Sequence, residues 1–126
     1  MCGIAGFLAP EGERADKRLV ERMIGTLRHR GPDAVGFHAE GRLALGVARL
    51  RVIDLETGDQ PIANEDGSAH VVLNGEIYNH PALRAELTAR GHRFTTRSDT
   101  EAIVHAWEEY GEHCVDHLNG MFAFAL

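Results

Sequence analysis

The chain has 126 residues, 44% of them hydrophobic and 25% charged, with 13 Lys and Arg against 19 Asp and Glu for a net charge of −6. That is the make-up of a globular chain, one domain or part of one, able to bury about two-thirds of the surface its unfolded form exposes, and nothing in it suggests disorder or repeats. The basic residues are scattered among acidic ones, which argues against a nucleic-acid partner; residues 4–9 are apolar but too short for a membrane span and lack a basic leader, so no membrane partner and a cytoplasmic location are expected.

Cys2 directly follows the initiator Met1. Removal of Met1 would leave a thiol and a free α-amine on one residue, a nucleophile with its own base. A thiol with a pKa of about 8.5 is only slightly ionised near neutrality, and a terminal amine of pKa about 7.7 to 8.0 is matched to take its proton. Residues 2–8 read as a short apolar strand, which would hold that terminus inside the fold. Asp16 can cap a helix whose Leu19, Val20, Met23, Ile24 and Leu27 share a face, with Arg28, His29 and Arg30 in its last turn before Gly31 and Pro32.

Residues 42–50 form the next expected strand, with Leu43, Leu45 and Val47 alternating with small residues and Arg49 at its end. A turn-rich connection over 54–68 leads to a strand at 69–73 that runs into Asn74-Gly75-Glu76-Ile77-Tyr78-Asn79. A helix is expected over 81–90 with Gly91 as its stop, then a short strand at 92–95. Ser98-Asp99-Thr100-Glu101 has the spacing of a capping box and opens a helix with Ile103, Val104, Trp107 and Tyr110 on its apolar face. Residues 121–126 look like a buried strand in which the chain stops without a cap or polar tail, as a fragment of something longer would. Strands alternating with amphipathic helices make the class mixed α and β, with no requirement for a purely parallel sheet.

Two cysteines, Cys2 and Cys114, make no disulfide framework. Among the eight histidines, His113 and His117 flank Cys114 at a four-residue spacing that would suit a metal, but no second ligand pair of similar quality exists, and Cys114 reads as a core residue. His29, His38, His70, His80, His92 and His105 have no common spacing, and no metal site is expected.

A terminal cysteine that hydrolyses a small amide needs an oxyanion hole and handles for the substrate's charges. Asn74 and Gly75 can offer an amide and an unhindered N–H to an oxyanion, though Asn-Gly is also the commonest turn pair. Arg49 can hold a carboxylate in its planar fork, or be an edge residue reaching for solvent. Asp99, in a first helical turn, is a partner for an ammonium, or simply part of a helix cap. An α-amino acid with a side-chain amide would use all of them, and glutamine fits.

Cys2-Gly3-Ile4-Ala5-Gly6, Arg28-His29-Arg30-Gly31-Pro32-Asp33, Asn74-Gly75-Glu76-Ile77-Tyr78-Asn79, Ser98-Asp99-Thr100-Glu101 and Leu118-Asn119-Gly120-Met121-Phe122-Ala123-Phe124 together resemble the glutaminase domain of glutamine-hydrolysing asparagine synthetases. These are class II glutamine amidotransferases among the N-terminal nucleophile hydrolases. The resemblance spans essentially the whole chain and implies an α+β, four-layer αββα sandwich, C-terminally truncated, with residues 1–126 an incomplete amidotransferase domain and the synthetase domain absent. It further implies Cys2 as nucleophile, Asn74 and Gly75 as oxyanion hole, Arg49 on the glutamine carboxylate, Asp99 on its amino group, and Val52, Ile53 and Glu76 lining the pocket. No cofactor is implied for this chain; ATP and magnesium belong to the absent synthetase domain, which turns aspartate and the released ammonia into asparagine. Where the family often carries a histidine two residues before the arginine, this chain has Val47. The alternatives are an amidotransferase acting on another carboxylate and a catalytically inert fragment. Strand edges exposed by truncation would favour aggregation or association, a homodimer included.

Overall fold

In the computed structural model, which describes residues 1–126, six strands and three α-helices follow one another as β1 (Gly3–Leu8), α1 (Lys17–Gly25), β2 (Ala34–Glu40), β3 (Leu43–Arg49), β4 (Ile62–Ala63), β5 (His70–Ile77), α2 (His80–Ala89), α3 (Asp99–Tyr110) and β6 (Gly120–Ala125). A 3₁₀ turn, Gly111–His117, joins α3 to β6. The strands make two three-stranded antiparallel sheets, ordered β1-β3-β2 and β4-β5-β6.

The two-residue period of β3 explains the layering. Ala44 and Ala48 turn to α1 and pack on Val20 and Ile24, while Leu45 and Val47 turn the other way and meet Val72 of β5. Small residues on the first face let the helix come close: a Cβ on Gly46 would stand 2.6 Å from Ile24 Cγ1. Across β5 the same alternation sends Val71, Leu73 and Ile77 to Ile103 and Val104 of α3. Leu83 and Leu87 of α2 then close on Ala102, Ala106 and Cys114. The layers are α1, sheet, sheet, and α2 with α3, the αββα sandwich. Each fully buried aliphatic side chain in it contributes about 1.5 to 3 kcal/mol.

Several sequence expectations change in the folded chain. α1 is capped by Asp16, whose Oδ1 accepts from Arg18 N at 2.9 Å, but it ends at Gly25 rather than at Arg30; Thr26 Oγ1 donates to Met23 O at 2.7 Å and diverts a carbonyl of its last turn. β2, continuous through Gly36, is a strand that the pattern of apolar residues does not announce. β5 does not stop before Asn74 but continues through the motif to Ile77, paired residue by residue with β6, which rules out the Asn-Gly turn.

No strand forms at 92–95. There the backbone N–H groups of Arg93, Thr95 and Thr96 donate to side-chain carboxylates, Glu65 for the first and Glu101 for the other two, at 2.7 to 2.8 Å. Ser98 caps α3 by accepting from Thr100 N at 3.2 Å, while Glu101 reaches past the cap to Thr95 and Thr96 instead of closing a capping box. Trp107 lies outside the core at 37% exposure, and β6 is half exposed rather than buried. Cys114 is buried as expected, whereas His113 is 85% exposed and pairs with Asp116.

Candidate active site

The start of β1, the end of β3, the middle of β5 and the first turn of α3 converge on one cleft. Its lining includes Cys2, Arg49, Val52, Ile53, Gly75, Glu76 and Asp99, seven of the eight residues named from the sequence. Asn74 is the exception: it shares a face of β5 with Val72, and its Oδ1 is buried with no hydrogen-bond partner. An unpaired buried polar atom costs about 1 to 3 kcal/mol, which makes this amide the unsatisfied group beside the cleft.

Cys2 is held from two sides. Arg30 Nε donates to its carbonyl at 2.9 Å, and Leu50 N–H donates to Sγ at 3.4 Å. The motif Arg30-Gly31-Pro32-Asp33 has three jobs here other than ending a helix. Arg30 fixes the nucleophile's backbone, Gly31 abuts β3 where a Cβ would fall 2.0 Å from Ala48 O, and Asp33 accepts from Arg51 N at 2.9 Å. Spacing carried no signal for the first of these, because the contact joins residues 28 apart in the chain.

Arg49 is 3% exposed and already partly engaged. Nη1 donates to Asp59, and Nη2 to the carbonyls of Ile53 and Asp54 at 2.9 and 2.6 Å. A guanidinium has five N–H donors, so Nε and one Nη1 hydrogen are left for a ligand. The same contacts shape the loop that carries Val52 and Ile53. Gln60, not singled out from the sequence, ties the cleft's floor together: Oε1 accepts from Leu73 N at 2.7 Å, and Nε2 donates to Thr100 Oγ1 at 3.1 Å.

Asp99 Oδ2 accepts from Ile77 N at 2.8 Å and joins α3 to β5. Burial pushes the Glu76 carboxyl up, the neighbouring Asp99 adds to this, and the chain's N-terminal charge opposes it. Two carboxylates facing one cleft from adjacent elements make it suited to an ammonium; Arg49 on the opposite strand supplies the positive pole.

Asp54 anchors the loop between these poles. Its φ of 53° is unusual for a residue other than glycine, and its carboxylate accepts from Thr57 N at 2.9 Å and Arg97 N at 2.8 Å. Burial would raise this carboxyl, but the bonds from Thr57, Arg97 and Glu56 outweigh it and hold it at about 2. The folded pKa is depressed, so the stability this group contributes is complete above the unfolded value of about 3.9 and is lost as pH falls towards 2. Asp54→Ala is therefore expected to lower the denaturation midpoint at pH 7, with the gap to the unsubstituted protein closing between about pH 4 and pH 2. A gap that stays constant over that range would exclude the ionised carboxylate as the anchor.

No helix is long and apolar enough to cross a membrane. A family model described as a glutamine amidotransferase domain matches residues 1–126. The chain is 48% identical over 127 residues to asparagine synthetase [glutamine-hydrolyzing] 2 of Oryza sativa subsp. japonica, and 45% identical over 129 residues to asparagine synthetase [glutamine-hydrolyzing] 3 of Bacillus subtilis (strain 168). Both alignments take in the whole chain but only 21% of each relative's length, so it spans about a fifth of the curated relatives it matches. Among solved structures, glutamine phosphoribosylpyrophosphate amidotransferase from B. subtilis superposes with a TM-score of 0.73 over 96% of this chain and 34% of that one, at 21% identity, a likeness of fold. Matched from end to end by the family model, this chain belongs to the glutamine amidotransferase domain family.

Proposed function

We propose that this chain hydrolyses glutamine to glutamate and ammonia, with Cys2 as nucleophile once Met1 is removed. The observation that carries the reading is the convergence of a thiol, a buried arginine and a buried carboxylate on one cleft: Cys2, Arg49 and Asp99 come from three different elements. The free donors of Arg49 take the substrate's α-carboxylate and Asp99 its ammonium, which orients the γ-amide towards Sγ. The Cys2 amine accepts the thiol proton as sulfur attacks the amide carbon. The negative oxygen that forms is met by the Gly75 N–H and the Asn74 amide, a class of contact in which one donor is worth about 3 to 4 kcal/mol. The amine returns its proton to the departing nitrogen, the C–N bond breaks, and ammonia leaves a γ-glutamyl thioester. Water then adds to the thioester, giving glutamate and restoring the thiol.

In a protein with the length of the curated relatives, the ammonia would pass to a synthetase domain that uses ATP and magnesium to convert aspartate to asparagine; the 45 to 48% identity to asparagine synthetases favours that acceptor over another carboxylate. The test is processing. Met1 itself lines the cleft, and while it remains the Cys2 nitrogen is a peptide N–H that cannot act as base. Protein whose Met1 has been removed, as verified by intact mass, is expected to release glutamate from glutamine, and protein retaining Met1 is not. Equal rates for the two forms would end the terminal-amine mechanism.

A further inference from the structure

Apart from the cleft, two histidines and two glutamates from three chain segments meet. Glu65 lies in the turn between β4 and β5, His92 just after α2, and His105 and Glu108 three residues apart on α3. One ligand atom from each lies within 4.8 Å of all the others. None of the four lines the cleft, and none takes part in the hydrolysis proposed above. We propose that they form a binding site for one divalent transition-metal ion of the Zn²⁺ class, with Nδ1 of each histidine and one oxygen of each glutamate as ligands.

The spacing is the first argument. His105 Nδ1 stands 3.0 Å from Glu108 Oε2 and 3.3 Å from Glu65 Oε2, and His92 Nδ1 stands 3.3 Å from Glu65 Oε1 and 3.4 Å from Glu108 Oε2. Ligands at the corners of a tetrahedron around zinc, with bonds of about 2.0 Å, are about 3.3 Å apart. Both imidazoles direct Nδ1 at Glu108 Oε2 and at the Glu65 carboxylate, where they meet its two different oxygens, although the two residues share no sequence periodicity.

The surroundings are the second argument. Metal-bound histidines hand their other ring nitrogen to a carboxylate or carbonyl, and bound carboxylates are themselves hydrogen-bonded. Here His92 Nε2 faces Glu109 Oε1 at 3.1 Å, and His105 Nε2 is buried facing Glu101 Oε1 at 3.6 Å. Glu65 Oε1 accepts from Arg93 N, and Glu108 Oε1 from Asn64 Nδ2, both at 2.8 Å. Three of the four ligands thus have an outer hydrogen-bond partner, while His105 Nε2 has none in the fold.

Imidazole with carboxylate suits zinc among the metals of this group, and four protein ligands make a closed, structural centre rather than a catalytic one. The centre would fasten residues 92–97, which have no strand partner, to α3 and to the β4–β5 turn, and that segment leads directly into Ser98 and Asp99.

The experiment is calorimetric titration of the full chain with Zn²⁺ alone, in a Cys2→Ala background so that the half-buried thiol of the cleft cannot bind, followed by the visible spectrum of the Co²⁺ form. Expected are one ion per chain and ligand-field bands of a nitrogen and oxygen site without thiolate charge transfer. Affinity should be lost in His92→Ala and fall about 10- to 100-fold in Glu109→Gln, which touches only the outer partner. His113→Ala, changed at an exposed histidine, should bind as before. His105→Ala is avoided as the sole probe because that ring is fully buried. Absence of stoichiometric binding, thiolate bands, or binding that survives His92→Ala would each overturn the site. With Cys2 intact, His92→Ala is expected to keep its glutamate release, so failure of the metal site and failure of the glutaminase reading remain separate results.

Discussion

Cys2→Ala is expected to abolish glutamate release, lowering the rate at least about 10⁴-fold, because loss of a covalent nucleophile leaves only binding and oxyanion stabilisation to act on water. The fold should hardly notice. Sγ hydrogen-bonds only with Leu50, accepting from its N–H at 3.4 Å and donating to its carbonyl at 3.7 Å, and Cys2 packs only at the margin of the Leu45, Val47 and Val72 cluster; a neutral hydrogen bond contributes about 0.5 to 1.5 kcal/mol. Glutamate release and thermal melting, measured on the same preparation with Met1 removed, therefore separate chemistry from folding. A variant that melts normally and keeps more than a few per cent of the rate would remove Cys2 from the mechanism. The second thiol offers no rescue: Cys114 is 2% exposed, and burial pushes its pKa up, so a thiol reagent should add once, at Cys2.

The layering of the fold could be read in the sequence because it rests on local periodicity. Val20 and Ile24 mark the inner face of α1, and Leu45 and Val47 mark one face of β3, both visible as spacing. Segment 92–95 misled for an equally physical reason. Its polar and aromatic residues look like a strand, but the N–H groups that would make a ladder are taken by Glu65 and Glu101 from elsewhere in the chain. No local pattern reports a carboxylate that arrives from 28 residues away.

The cleft divides along the same line. Cys2, Asp99 and Arg49 are recognisable as chemical types at element ends, and the family resemblance adds their roles. That Arg49 arrives with Nη2 committed to Ile53 and Asp54 is a tertiary fact, as is the meeting of His92 with His105. Val47, where the family resemblance leads to the expectation of a histidine, packs into the core between the sheets at 0% exposure and leaves the arginine's own contacts in place.

Gly75→Ala should be the most damaging single methyl group that can be added to the cleft. The residue sits at a φ of 149°, where side chains are rarely found, and an added Cβ would fall 2.1 Å from Met121 O and 2.6 Å from Phe122 Cα. Both obstacles are backbone atoms of β6, so relief requires prising β5 from β6 rather than turning a side chain. A loss of about 3 to 5 kcal/mol of stability is expected, together with loss of glutamate release of about 10²-fold or more among molecules still folded. Asn74→Ala distinguishes the two effects. It removes the amide whose Oδ1 has no partner in the fold, so the melting temperature should hold or rise while glutamate release falls about 10²- to 10³-fold. If Asn74→Ala instead melts early with its rate intact, the amide is a structural part of β5 and the oxyanion must be met by other donors. If Gly75→Ala is both stable and active, the backbone of β5 has room at that point that the β5–β6 pairing denies it, and the assignment of Gly75 to the oxyanion hole goes with it.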